Sequence, residues 1–495
     1  MVITAAGTIG GTFVNSGRLS IDGVAVTVAG IDLASSGTLT LDGGAGDASL
    51  TETGTVLLNS GLITVTGGNG SLGAATISNL SGATIAVESG ATLQQGGTLL
   101  NAGDLSLSGK LEMVGAAVVN SETLTVDGGT LTGADVSNSG LLDVTAASVV
   151  DLDTGGSVTN SGTLAIQDGV TLNFADGVLR NSGTIDFGDG VSITTTSGSI
   201  ENSGLIEIGT VTGVASIDTD LSLDIASTLQ IDLDSSTVTP FDQLIVNGAL
   251  DLGGTLSVSE TGSFSVGLND SFHIIDTGAA TPTGDFDFVE GLETGDGFVL
   301  DLSQGSGGVT LTSVAVDFQG TASGDTLTGL TLDQEVFVGE GGDDTLASFG
   351  GTDLLHGGAG DDLFILPDLS FGRLDGGDGL DRVVFEGDNP GSFNLIPLRG
   401  DQLSNIERID ISGTATVSLT LDVDTVLSAT GGTNTLTGND NSLIIDGDAG
   451  DTLTATGGWA ADGSTTIDST SYSIFNDTDT GAEILVNSAI AASVS

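Results

Sequence analysis

Asn160-Ser161-Gly162-Thr163-Leu164-Ala165-Ile166, Asn181-Ser182-Gly183-Thr184-Ile185-Asp186-Phe187 and Asn202-Ser203-Gly204-Leu205-Ile206-Glu207-Ile208 are successive copies of one motif, spaced about 20 residues apart. Asn-Ser-Gly also stands at Asn15, Asn59 and Asn138, with degenerate copies at Asn79, Asn101 and Asn120. Asn and Gly tolerate positive φ and suit a tight corner. The residues after each corner alternate, so one set of side chains points inward and the other outward, as in a strand. A repeat of this length is one coil of a solenoid. Equivalent Asn side chains on adjacent coils are then placed to form a hydrogen-bonded ladder. Residues 1–209 therefore read as a right-handed parallel β-helix of about ten coils, each rising about 4.8 Å.

Composition supports strands cut by frequent turns: 80 glycines, 5 prolines and 38% hydrophobic residues in a chain of 495. The 66 acidic side chains face only 7 basic ones, for a formal charge of −59. Such a chain repels itself unless cations or wide spacing relieve it. The same charge excludes nucleic acid and anionic lipid as partners, since both are held by Lys and Arg. Cysteine is absent, so a resident metal must be hard and oxygen-bound, which points to calcium. No stretch approaches the roughly 20 apolar residues of a membrane span. The start, Met1-Val2-Ile3-Thr4-Ala5, lacks a basic n-region, so an export signal is expected elsewhere. With the first Asn-Ser-Gly already at Asn15, the chain reads as beginning inside a repeat.

After Gly204 the motif stops, and residues 210–317 read as a β-rich closing module that covers an open solenoid edge. From Gly339 the chain falls into nines, 339–347, 348–356 and 357–365, on the pattern Gly-Gly-x-Gly-x-Asp-x-apolar-x. A detached unit spans 376–384 and a weaker one 320–328. In this pattern glycines let a six-residue turn bend and expose its carbonyls, the Asp is a hard anionic ligand, and the apolar residue anchors a strand. Calcium takes six to eight oxygens at about 2.3–2.6 Å, more than one turn provides, so consecutive turns on one side of a flattened coil must share each ion. The expected ligands are Gly339, Gly341 and Asp344 of the first unit and Gly351 and Asp353 of the second. Gly357, Gly358, Gly360 and Asp362 come next, then Gly376, Gly377, Gly379 and Asp381, with Asp325 as an outlier. Ser348 and Phe349 replace the paired glycines of the second unit, which is expected to weaken or delete one ion.

The nonapeptides resemble the RTX calcium β-roll, and residues 318–388 are assigned to it. The Asn-Ser-Gly coils resemble the passenger β-helices of bacterial autotransporters and filamentous adhesins, and residues 210–317 resemble the module that closes such passengers. Leu403-Ser404-Asn405-Ile406-Glu407, Asp446-Gly447-Asp448 and the ending Ala482-Glu483-Ile484-Leu485-Val486-Asn487 resemble the C-terminal region of RTX proteins, here residues 389–495. These resemblances imply export by type I secretion machinery to the outside or surface of a bacterium, several Ca²⁺ ions as cofactor, and folding that waits for extracellular calcium. They further imply an adhesin or matrix scaffold whose partners are cell-surface or extracellular polysaccharide or other cells.

An enzyme is not expected. One lysine (Lys110), six arginines, and histidines only at His273 and His356 leave few groups to neutralise a uronate carboxylate during proton abstraction. His356, at the ninth position of a nonad, reads as a surface residue at a turn boundary. Trp459, Tyr472 and Phe475 read as packing for the C-terminal module. The alternative that stays open is a calcium-dependent polysaccharide lyase or epimerase, or its non-catalytic module.

Overall fold

The computed structural model describes all residues except 11–13, 30–32, 45, 53–55, 152–155, 210–211, 235–240, 262–263, 295–296, 387–390, 399–401, 414–415 and 431–433. The chain is nearly all β, 60% strand and 2% helix, and forms a parallel β-solenoid of about 16 turns. The all-β class and the solenoid expected from the repeats are thus observed. No helix among the described residues is long and apolar enough to cross a membrane. The chain divides into two compact units. The first comprises Met1–Phe264, Phe272–Gly284 and Leu302–Leu311, and the second Ser265–Ser271, Asp285–Asp301 and Thr312–Ser495. The module boundaries expected at 209/210 and 388/389 fall at residues outside the described set.

In the first unit each coil contributes one strand to a long parallel sheet, as in Thr163–Ile166, Thr184–Phe187 and Leu205–Ile208. Register is strict: Leu164 pairs with Ile185, and Ile185 with Ile206, all fully buried. Each such side chain removed from water contributes about 1.5–3 kcal/mol, and a slip of one residue turns the whole column outward.

The asparagine ladder is present. Asn59 Nδ2 donates to Asn79 Oδ1, Asn79 to Asn101, Asn101 to Asn120, Asn120 to Asn138 and Asn138 to Asn160, each at 2.7 Å. Asn160 continues to Asn181 at 2.6 Å and Asn181 to Asn202 at 2.7 Å. The degenerate copies at Asn79, Asn101 and Asn120 are full members, so only the amide is demanded by the stack. At the lower end Asn15 donates instead to Ser35 Oγ (3.2 Å), a substitute rung that Ser35-Ser36-Gly37 supplies.

At Gly162, Gly183 and Gly204 the motif glycine is favoured for a reason other than the one expected. Gly162, Gly183 and Gly204 do not have positive φ. A Cβ on them would instead lie 2.1–2.2 Å from the carbonyl oxygen of the glycine one coil away. At these three corners backbone stacks on backbone and a Cβ would clash, while the degenerate copy Asn120-Ser121-Glu122 places Glu122 at the equivalent corner.

Near the end of this unit Asp242 is buried, its carboxylate accepting from Gly213 N (2.7 Å) and Asp232 N (2.8 Å). Burial, with the nearby Asp232 charge adding to it, pushes Asp242 up to about 7 despite those two bonds. Because the folded chain holds this proton more tightly than the unfolded one, its contribution favours folding below about pH 4 and is lost as pH rises to about 7. Asp242→Asn is expected to remove on the order of 3 kcal/mol from the pH 4–7 dependence of unfolding free energy. Denaturant titrations of variant and wild type at pH 4.5 and 7.5 measure this; parallel pH profiles would contradict it.

The nonapeptides lie in the second unit. Successive nonads alternate between two parallel sheets, so one coil holds two strands and two turns. Thr345–Ala347, Leu363–Leu366 and Arg382–Phe385 stack in one sheet, and Val336–Val338, Leu354–Ala359 and Arg373–Asp378 in the other. The eighth-position residues Leu346, Phe364 and Val383 form a buried column that continues through Ile409 and Ile445. Toward the C-terminus the sheet ends in an antiparallel hairpin, Trp459–Ile467 with Thr470–Asp477, turning at Asp468 and Ser469 with positive φ. Trp459 and Tyr472 are buried, as expected for packing residues, and the Tyr472 hydroxyl donates to Asp446 Oδ1 at 2.5 Å. The helix of the described residues, Val423–Ala429, is opened by a capping box between Asp422 and Thr425.

Candidate metal centre

The turns 320–325, 339–344, 357–362 and 376–381 stack on one side of the second unit. A Cβ on Gly320, Gly339 or Gly357 would lie 2.2–2.5 Å from the carbonyl oxygen of the first-position glycine in the next turn. Left-handed backbone is concentrated at the second and fourth positions: Gly358 and Gly360, Gly377 and Gly379, and Glu340 with Gly342. Glu340 therefore holds at φ 77° a conformation that favours glycine.

The sixth-position carboxylates form a column. Asp325 N donates to Asp344 Oδ1 (2.6 Å), Asp344 N to Asp362 Oδ1 (2.7 Å) and Asp362 N to Asp381 Oδ1 (2.8 Å). Asp344, Asp362 and Asp381 thus each use one oxygen to tie the neighbouring turn to their own. The other oxygen of these three is buried and has no hydrogen-bond partner. It folds over the first position of its own turn, where a Cβ on Gly339, Gly357 or Gly376 would meet it at 2.3–2.6 Å. Glycine at position one is thus required by the carboxylate above it as well as by the turn.

Three predicted ligands, Asp325, Asp353 and Gly351, are arranged differently. Asp325 lies on this column, but its Oδ2 accepts from Thr321 N (2.7 Å) and Thr321 Oγ1 (2.8 Å). Asp353 and Gly351 lie in the turn on the opposite side of the coil. There Ser348, standing where the pattern has glycine, donates its hydroxyl to Asp353 Oδ2 at 2.6 Å, while Asp353 Oδ1 accepts from Glu335 N at 2.8 Å. The remaining predicted residues, Gly341 included, belong to the stacked side.

Three carboxylates of this region were not singled out from sequence. Asp343 and Asp361, at the fifth position, form a parallel outer ladder: Asp361 N donates to Asp343 Oδ1 (3.1 Å) and Leu380 N to Asp361 Oδ1 (3.0 Å). Their signal was the Asp-Asp doublet itself. Glu407 accepts from Asp381 N at 2.8 Å and extends the column past the last nonapeptide. It belongs to no repeat, and nothing in its spacing marks it.

Burial, reinforced by the neighbouring carboxylates, pushes Asp362 up to about 6, Glu407 up to about 7 and Asp381 up to about 9, and raises Asp344 as well. The arginines nearby are engaged elsewhere: among the described residues, Arg373 pairs with Asp375, Arg382 with Asp410 and Arg408 with Asp446. Among the described residues no group of three His, Asp or Glu side chains is placed to hold a metal by itself, so a metal here must also take carbonyl oxygens. Unpartnered buried carboxylate oxygens beside glycine turns fit a hard, oxygen-loving ion such as calcium.

The expected surface position of His356 is corrected. Its side chain is only 20% exposed and lies 3.3 Å from Glu293 and 3.5 Å from Asp375. Burial pulls its imidazolium down, but Asp375 and Glu293 outweigh that and the net shift is upward. Asp375 is held well below the usual range: burial opposes this, and His356, Arg373 and Asn405 overcome it. The groove at His356 is lined by Glu293, Phe298 and Glu340 among others.

No known protein family matches the chain, and no curated protein matches it in sequence.

Proposed function

We propose that this chain is an exported calcium-binding solenoid, with the stacked turns from 339 to 381 as its metal-binding segment and the coils as a surface or matrix scaffold. The observation that carries the reading is the row of buried Oδ2 atoms on Asp344, Asp362 and Asp381, which have no hydrogen-bond partner among the described residues. A bound divalent cation supplies the positive charge this row lacks. Asp344, Asp362 and Asp381 would hold it with carbonyls of their own turns. Without it, these carboxylates must fold protonated or repel one another, and both routes cost stability. The consequence is a segment that stays open where calcium is scarce and closes at the millimolar calcium found outside cells, with binding and folding coupled.

An adhesive or scaffolding role fits a regular coil carrying a formal charge of −59. A polysaccharide-modifying enzyme fits less well. The groove beside His356 presents Glu293 and Glu340, which would repel a uronate chain, and Arg373 is already engaged by Asp375 and the Val289 carbonyl (2.6 Å).

The reading is tested by far-UV circular dichroism of the metal-free chain as calcium is added and then chelated. Strand signal should rise with calcium and fall on chelation, while the part due to the Asn-Ser-Gly coils stays constant. A spectrum indifferent to calcium would remove the proposal.

A further inference from the structure

We infer that Glu407, a residue outside the nonapeptides, closes the column as a metal ligand together with Asp381, forming one more cation position that ties the C-terminal strands to the repeats. This rests on the proposal that the stacked turns bind calcium.

The geometry at Glu407 repeats that of the preceding steps. Asp381 N donates to Glu407 Oε2 at 2.8 Å, as Asp362 N does to Asp381 Oδ1 at the same distance. The carbonyl oxygen of Asn405 lies 1.9 Å from where a Cβ on Gly376 would stand, the place that the Gly376 carbonyl takes beneath Gly357. Asn405 presents it from a left-handed backbone, φ 53°, whereas the first-position glycines of the repeats do not have positive φ. Both carboxylates are buried, Asp381 at 0% and Glu407 at 2% exposure, and Asp381 Oδ2 has no partner. An anion pair this enclosed, with a free oxygen and no arginine paired to it among the described residues, is suited to a cation.

The bend carrying Glu407 is tied into the C-terminal strands. Ile406 N donates to Ala429 O (2.8 Å), Ile444 N to Glu407 O (2.9 Å) and Asn434 Nδ2 to Ser442 O (2.9 Å). Loading this position therefore orders the segment that holds Trp459, the single tryptophan of the chain.

The test is a calcium titration of the full chain, counting ions by calorimetry and following Trp459 emission. Glu407→Gln keeps an acceptor for Asp381 N–H and removes the charge. It is expected to bind one ion fewer than wild type and to need about tenfold more calcium for the Trp459 transition. An unchanged ion count with an unchanged Trp459 midpoint would overturn the inference. A wild type that takes up no calcium would overturn the parent reading instead. Should Glu407→Gln fail to reach the wild-type emission at saturating calcium, Glu407→Asp decides. It keeps the charge but withdraws it by one methylene, so the ion count is retained with the weakest step loosened about tenfold. A weakest step of wild-type affinity in Glu407→Asp would also overturn the inference.

Discussion

Asp362→Asn is expected to cost the protein two calcium ions and to raise the calcium concentration at half-folding by at least about tenfold, or about 1.4 kcal/mol. The size comes from its place. Its Oδ1 ties down the Asp344 turn at 2.7 Å, its own N–H is tied to Asp381 at 2.8 Å, and its free Oδ2 is the middle one of three. An ion on either side would draw on it. Asn keeps one carbonyl oxygen to accept from Asp344 N, but turns an amide toward the place where the free carboxylate oxygen stood. The contrast is with Asp325→Asn and Asp353→Asn, which share the same position in the nonapeptide. Their second oxygens already accept from Thr321 and Ser348, so each substitution is expected to leave the ion count unchanged and the midpoint within about threefold. Calorimetry and circular dichroism on the three variants decide the matter; equal losses from all three would mean that the hydroxyl contacts do not close those positions.

Asn138→Ala is expected to destabilise the first unit by about 3–5 kcal/mol, among the larger effects a single polar deletion produces. Asn138 is fully buried, accepts from Asn120 and donates to Asn160, Gly140 O (3.1 Å) and Thr163 O (3.0 Å). Its removal leaves an amide of Asn120 and a carbonyl of Asn160 short of a partner in a dry interior, and each such group costs about 1–3 kcal/mol. The cavity left by the amide adds to it. Asn15→Ala, at the end of the ladder, removes side-chain contacts to Ser35 and Thr38 and should cost about 1 kcal/mol. Denaturant unfolding followed by circular dichroism gives both values. If the central substitution were as mild as the terminal one, the ladder would be a consequence of coil stacking and not a cause of it.

Much of this was legible in the residues. The Asn-Ser-Gly period and the alternation after it specify a coil and its inward face, because a parallel stack repeats the same environment at the same position and so repeats the same residue. The nonapeptides were legible for the same reason, and the glycine lost at Ser348 lies in a turn whose carboxylate is bonded differently from those of the stacked side. Its consequence was physical and specific: the added hydroxyl satisfies Asp353.

What sequence by itself determined is therefore the period, the strand faces, the glycine turns and the acidic positions, all set by local conformation and by repetition. What tertiary structure alone decided is which acidic oxygens are left over. That depends on how each turn closes on itself, which sets Thr321 on Asp325 and Ser348 on Asp353, and on stacking, which places Glu407, 26 residues further along the chain, against Asp381. The same holds for the true role of the corner glycines, the Ser35 rung, and His356 held between Glu293 and Asp375. A hydrogen-bonding group is satisfied or orphaned by its neighbours in space, and in a solenoid many of those neighbours lie a full coil away in the chain.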